Sequence, residues 1–169
     1  LKEGEWQFYR DSGFTEMKGH FVEGLQEGQW IYYYSNGQVQ YEGEWQKGEK
    51  SGEWIFYYPN GSEWRKGDFL KNKRNGNWTT WFENGKMLQE GPYVSGLEEG
   101  LWKSWYQSGS PKDEGSFESG KLIGKWKGWF PNGSPMYEGA WQGDEKVGNW
   151  KHYHEDGTLE ENAWYKDGS

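Results

Sequence analysis

Aromatic residues and glycines recur along this chain in a pattern that returns every twenty-four residues without insertion or deletion. Each unit starts at an anchor glycine, and a tryptophan stands two residues after it. The anchors are Gly4, Gly28, Gly52, Gly76, Gly100, Gly124 and Gly148, and the tryptophans are Trp6, Trp30, Trp54, Trp78, Trp102, Trp126 and Trp150. Self-similarity at a fixed period of about 20 to 50 residues is typical of repeat proteins. We therefore expect one array over residues 1–169, with repeats starting near 4, 28, 52, 76, 100, 124 and 148.

Each unit reads as two strands joined by a tight turn. Residues 30–34 and their equivalents are aromatic or β-branched, which favours a strand over a helix. A turn of the type Asn36-Gly37 follows, and the return strand carries a glycine and then an aromatic residue. Because both connections are short, neighbouring strands must pair as hairpins. The sequence predicts an all-β fold, an elongated antiparallel meander of seven β-hairpin repeats with about fourteen strands.

The return-strand glycines indicate how the sheet packs. They include Gly43, Gly67, Gly91, Gly115 and Gly139. A glycine in a strand leaves a gap that a neighbouring ring can cover, and the recurring tryptophan is the natural occupant. We expect a ladder of rings over glycines, in which Ala163 marks a looser last unit or a cap. Asn72 and Asp144 replace loop glycines and tolerate the left-handed conformation that the loop requires.

A second aromatic stripe lies five residues after each anchor: Tyr9, Tyr33, Tyr57, Trp81, Trp105, Trp129 and Tyr153. Its parity along the strand is opposite to that of the first tryptophan. Either a bulge restores a common face, or both faces of the sheet are aromatic. Lys103, Lys127 and Lys151 stand two residues before the last three stripe residues. Trp81, Trp105, Trp129 and Tyr153 with these three lysines form the candidate ligand-binding set. The alternative is that the rings only pack the sheet.

Composition and charge narrow the classes of function. The formal net charge is −8, and no basic block offers a surface for nucleic acid or an anionic membrane. Cysteine is absent, and no apolar run is long enough for membrane insertion. His152 and His154 share a strand face but carry no third ligand at a recognisable spacing, so we expect neither a metal nor a cofactor. No catalytic motif stands out, and we expect no enzyme activity.

The run YEGEWQKGEKSGEWIFYYPNG at residues 41–61, echoed by YEGAW at 137–141, resembles the MORN repeat. It is most similar to the bacterial variant, in which a tryptophan follows the anchor glycine. The resemblance covers the whole chain and implies a single-layer, twisted antiparallel sheet. It also implies a non-enzymatic scaffold or binding module, since bacterial proteins with such repeats include antitoxin or immunity proteins and cell-surface proteins.

Two functions from different classes stay open. The first is a protein-interaction or scaffold module of the antitoxin or immunity type. The second is a cell-wall or glycan-binding module that uses the aromatic ladder. Unpaired sheet edges also permit self-association. The sequence begins at Leu1 rather than at a methionine, so we expect a processed or excerpted piece. The bacterial cytoplasm and an exported or cell-surface location both stay open.

Overall fold

The computed structural model describes residues 1–166, so residues 167–169 of the predicted array lie outside the described residues. The chain forms two compact units, Leu1–Gly85 and Lys86–Ser169. Within the described residues all regular secondary structure is β-strand, and no helix occurs. Each unit is an antiparallel meander in which successive strands pair in chain order. The all-β meander of hairpins is therefore confirmed.

The first unit holds seven strands. These are β1 (Gly4–Tyr9), β2 (Thr15–Val22), β3 (Leu25–Tyr33), β4 (Val39–Gln46), β5 (Glu49–Tyr57), β6 (Glu63–Leu70) and β7 (Lys73–Trp81). Each pair follows the same register, with the anchor-plus-two tryptophan opposite the return-strand glycine, as in Trp30 opposite Gly43. Among the described residues β1 pairs with β2 alone. Self-association through such an edge stays a prediction.

The second unit repeats this arrangement with eight strands. These are β8 (Met87–Val94), β9 (Leu97–Glu98), β10 (Gly100–Trp105), β11 (Pro111–Glu118), β12 (Lys121–Trp129), β13 (Pro135–Gln142), β14 (Glu145–Tyr153) and β15 (Leu159–Tyr165). The expected count of fourteen is exceeded because the strand before Gly100 is interrupted at Glu99, so β8 pairs with both β9 and β10 and these two do not pair with each other. Pro92 stands where Glu44 pairs with Ser51 in the first unit, and proline has no N–H to donate to the ladder.

Two kinds of tight turn join the strands. The Asn-Gly turns place the glycine in the left-handed region, as at Gly37 with φ 83°, and Gly37 donates to the carbonyl of Tyr34 over 3.0 Å. The opposite turns have two consecutive residues at positive φ, as at Lys47 with φ 50° and Gly48 with φ 76°. This is the geometry of two-residue type I′ hairpins. Asn72 takes the second of these positions with φ 65°.

The anchor glycines mark bulges. Gly28 has φ 67°, and the pairing between β2 and β3 shifts register across it, from Lys18 opposite Ile31 to His20 opposite Glu27. Left-handed backbone of this kind favours glycine, which explains why the anchor glycine returns in every 24-residue repeat.

Candidate functional site

One face of each unit carries its anchor-plus-two tryptophans, four in the first unit and three in the second, and we call it the ladder face. The indole of Trp54 lies directly over Gly43, where an added Cβ would stand 2.3 Å from Cδ2 of the ring. The same approach recurs at five further pairs: Trp30 over Gly19, Trp78 over Gly67, Trp102 over Gly91, Trp126 over Gly115 and Trp150 over Gly139. Trp30 and Trp54 are 0% exposed. These rings form the core of the sheet.

Each covered ring is also anchored by a hydrogen bond. The Trp54 indole N–H donates to the Glu44 carbonyl oxygen over 3.1 Å, and Trp150 donates to the Ala140 carbonyl over 2.9 Å. An aromatic ring of a return strand packs edge-on against the indole, as in Phe69 against Trp78 at 5.1 Å and 90°. A buried indole whose N–H is satisfied costs little to desolvate, so the ladder face stabilises the sheet.

The anchor-plus-five stripe lies on the opposite face, which we call the second face. In the first unit the Tyr57 hydroxyl donates to the Glu42 carboxylate over 2.7 Å, and Lys18 Nζ lies 5.7 Å from the centre of the Tyr33 ring. In the second unit the Tyr153 hydroxyl donates to Glu138 over 3.1 Å. Both faces of the sheet are therefore aromatic, which was one of the two alternatives left open by the sequence.

A row of alternating charges crosses the second face of the second unit. Strand pairing sets the lysines at anchor-plus-three opposite glutamates of the return strands. In order, the row is Glu90, Lys103, Glu114, Lys127, Glu138 and Lys151. Of the neighbours in this row, only Lys151 and Glu138 form an ion pair, with 2.9 Å between Nζ and Oε1. Within the described residues Lys103 and Lys127 form no ion pair at this range.

The closed pair changes the titration of both groups. The hydrogen bond from Lys151 holds the pKa of the Glu138 carboxyl below its usual range, and the Tyr153 hydroxyl acts in the same direction. The hydrogen bond to Glu138 likewise raises the pKa of Lys151. Glu138 is therefore ionised at neutral pH, and the row presents both signs of charge to a ligand.

Two hollows flank this row. The larger, of about 560 Å³, is a groove lined by Lys125, Lys127, Glu138, Ala140, Val147, Asn149 and Lys151 together with nearby backbone. The smaller, of about 280 Å³, is lined by Lys103, Trp105, Pro111, Glu114 and Trp129 among others. The second face of the second unit thus offers concave surface with charged and aromatic walls, as binding sites do.

The structure brings part of the predicted ligand-binding set together. Lys103, Trp105 and Trp129 share the smaller hollow, whereas Lys127 and Lys151 line the groove. Tyr153 reaches the groove through its bond to Glu138. Trp81 belongs to the first unit and joins neither hollow.

Sequence reasoning missed the glutamates that face these lysines. Glu90, Glu114 and Glu138 stand fourteen residues after their anchors, and this recurrence was the available signal.

The two histidines occupy different surroundings. The His152 ring stacks on Trp150 of the ladder face at 6.1 Å, and His154 is exposed beside a turn. Among residues 1–166 no three His, Asp or Glu side chains come together in a way that could hold a metal ion. In the same residues no helix is long and apolar enough to cross a bilayer.

Comparison with family models matches the MORN repeat variant six times along the chain. The matched segments are residues 26–47, 50–69, 74–95, 98–119, 122–142 and 146–167. Comparison with curated proteins gives no match. The matched segments begin two residues before the anchor glycines, from Gly28 to Gly148, and cover more than half of the chain. The chain therefore belongs to the MORN repeat variant family, and its repeats indicate a binding or scaffold module.

Proposed function

We propose that this chain is a non-catalytic module that binds a protein partner through the second face of its second unit. The observation that carries the proposal is the charged row, in which Lys103 and Lys127 remain open for a ligand beside the half-buried rings of Trp105 and Trp129. The ladder tryptophans pack against the backbone of the sheet, whereas Lys103 and Lys127 form no ion pair within the described residues.

Alternating charge fits a protein surface better than a polyanion. A nucleic acid or an anionic membrane needs a face of one sign, but here each lysine stands between glutamates or beside one. Protein interfaces combine aromatic anchors with polar groups around them, which matches the rings and the row. The groove of about 560 Å³ gives a protruding segment of the partner a place to enter.

The acidic net charge of the chain favours one kind of partner. The net charge of −8 attracts basic proteins over long range and raises their rate of encounter. A basic toxin bound by an antitoxin or immunity protein has this character. We therefore propose a basic protein as the partner.

Capture from a lysate of the source cells tests the proposal. The test variant combines Lys103→Glu, Lys127→Glu and Lys151→Glu, which removes the alternation. The matched control combines Lys47→Glu, Lys71→Glu and Lys121→Glu, which makes the same charge change at exposed positions away from the row. We expect parent and control to retain one stoichiometric protein that the test variant loses. Equal retention by both folded variants would contradict the proposal.

The smaller hollow favours a second candidate, a glycan-binding module. Trp105 and Trp129 both line it with Lys103 and Glu114, and aromatic rings next to polar groups can stack on sugar rings. Tryptophan fluorescence titrated with cell-wall polysaccharide fragments tests this candidate. It predicts a saturable change that is lost in folded Trp105→Ala, and an unchanged spectrum at saturating sugar would eliminate it.

A further inference from the structure

In several repeats a basic side chain lies over the rings of the ladder face, and it always belongs to the residue two before the anchor glycine. Lys50, two residues before the anchor Gly52, places Nζ 4.3 Å from the centre of the Trp54 ring and 5.2 Å from that of Phe69. Lys146 does the same over Trp150 at 4.4 Å, and the Arg74 guanidinium lies 4.9 Å from Trp78. A cation over an indole face is attracted by the ring quadrupole. The ladder face therefore contains a repeated slot for a cationic group.

The second unit leaves this slot without a cation at two consecutive rungs. The residue in the position of Lys50 is Glu98 before Trp102 and Leu122 before Trp126. Among residues 86–166 no lysine or arginine lies over either ring. Trp102 and Trp126 are 8% and 7% exposed, whereas Trp54 is 0% exposed beneath its lysine.

Aromatic walls are nevertheless kept around the empty slot. Phe117 packs edge-on against both indoles, at 6.1 Å from Trp102 and 5.3 Å from Trp126. Tyr93 meets Trp102 at 5.1 Å and 86°. These contacts correspond to those that Trp45 and Phe69 make around Trp54. The rings around Trp102 are therefore arranged like those around Trp54, but no lysine side chain of residues 86–166 lies between them as Lys50 does.

Polar groups replace the rings on the remaining side. Ser104 stands at the phase of Phe56, Gln89 at that of Tyr41, and Asp113 follows at the next return strand. The result is a hollow of about 340 Å³ lined by Gln89, Glu98, Trp102, Lys103, Ser104, Asp113, Phe117, Leu122 and Trp126. The Ser104 hydroxyl is buried and has no hydrogen-bond partner in the protein.

Of the charged residues that line this hollow, Glu98 and Asp113 are acidic, whereas Lys103 belongs to the charged row on the second face. Within the described residues neither Glu98 nor Asp113 forms an ion pair, and Glu98 accepts one hydrogen bond, from the Tyr93 hydroxyl over 3.1 Å. We propose that the hollow between Trp102, Phe117 and Trp126 binds an organic cation, a primary alkylammonium or guanidinium group, in the place that Lys50 fills within the first unit. The rings hold the cation by their faces, and Glu98 and Asp113 accept its N–H groups. This site lies on the ladder face and does not depend on the proposed function of the second face.

Nuclear magnetic resonance of the indole N–H signals tests the proposal. The probe is Nα-acetyl-lysine N-methylamide, and its control is the norleucine analogue, which has the same chain length without the ammonium group. We expect the lysine probe to shift the Trp102 and Trp126 signals saturably while the norleucine analogue leaves them in place. Shifts of equal size with the lysine probe and the norleucine analogue would overturn the proposal, and so would the absence of shifts with both the lysine probe and n-butylammonium.

Three variants locate the site. Glu98→Lys should fill the slot from within, as Lys50 does, and abolish the shifts. Glu98→Gln keeps the hydrogen-bond acceptor but removes the charge, and should weaken binding by about tenfold. The control Glu118→Lys makes the same charge change at an exposed position on β11 and should bind like the parent. Unchanged binding in folded Glu98→Lys and Glu98→Gln would overturn the assignment.

A third probe, n-butylammonium, distinguishes the source of the cation. Equal binding of butylammonium and the blocked lysine shows that the hollow accepts a lysine side chain presented by another protein. Binding of butylammonium alone indicates a free amine. Both results support a cation site, and each names the ligand class that the hollow accepts.

Discussion

Single residues set the close packing of the ladder face. A return-strand glycine allows the indole to lie against the backbone, because an added Cβ at Gly91 would stand 2.2 Å from Cδ2 of Trp102. The strict period of the sequence was sufficient to anticipate this pairing of ring and glycine. It did not anticipate the surroundings of the lysines, because the glutamates that face them lie on different strands and meet only through the register.

Gly91→Val should destabilise the fold by about 1–3 kcal/mol, because the side chain must displace the ring above it. Ala163 gives the matched comparison. It stands at the same phase, opposite Trp150 in the strand register, and already carries a Cβ, while glycine is intrinsically less favourable than alanine in a strand. Ala163→Gly should therefore bring no stabilisation. Thermal or urea unfolding measures both variants, and a Gly91→Val protein as stable as the parent would contradict ring-over-glycine packing.

Alkaline pH should weaken the fold through Tyr137. Burial, followed by the negative charge of Asp113, raises the pKa of Tyr137 to about 12. An unfolded tyrosine titrates near pH 10, so the folded state favours the neutral phenol. The resulting stability is fully present below about pH 10 and is lost as the pH rises towards about 12.

Absorbance of tyrosinate and urea unfolding across this pH range measure the effect. Asp113→Asn should lower the pKa of Tyr137 towards its ordinary value. Tyr137→Phe should reduce the loss of unfolding free energy between about pH 10 and 12. An identical alkaline slope in parent and Tyr137→Phe would show that this phenol does not contribute.

At the scale of elements, a tyrosine hydroxyl joins neighbouring hairpins at the same position of several repeats. The Tyr106 hydroxyl donates to the carbonyl oxygen of Trp129 over 2.7 Å, and Tyr34 and Tyr58 make the same bond in the first unit. Strands and turns could be predicted from the pattern. The face of the second stripe could not, because a bulge between the tryptophan and the stripe residue could change the alternation of faces, and the pairing does shift register between Tyr32 and Tyr33.

Tyr106→Phe should cost about 0.5–1.5 kcal/mol, since it leaves the Trp129 carbonyl without this donor. Phe130 stands at the same phase one repeat later and has no hydroxyl. Phe130→Tyr should add the corresponding bond to the Tyr153 carbonyl and stabilise the protein by a similar or smaller amount. Urea unfolding of the two single variants and the double variant checks both signs, and destabilisation by both changes would contradict the role of this bond.

For the whole molecule, one sequence period produces two faces with different tasks. On the ladder face of the second unit, Glu98 and Leu122 replace the internal cation at two of the three rungs. On the second face of the second unit, rings and charges remain available beside the groove. The family and the hairpin fold could be predicted from the repeats, because every 24-residue repeat carries the same turn, glycine and aromatic positions. The hollows could not, because they arise where individual repeats depart from the pattern.

The most direct test of a partner on the second face is oxidative footprinting of tryptophan side chains in the captured complex. Trp105 and Trp129 report on the second face, and the exposed rings of Trp6 and Trp164 are internal controls. We expect the partner to protect Trp105 and Trp129 from oxidation while Trp6 and Trp164 react as in the free protein. Unchanged oxidation of Trp105 and Trp129 in a stoichiometric complex would place the partner elsewhere and contradict the proposal.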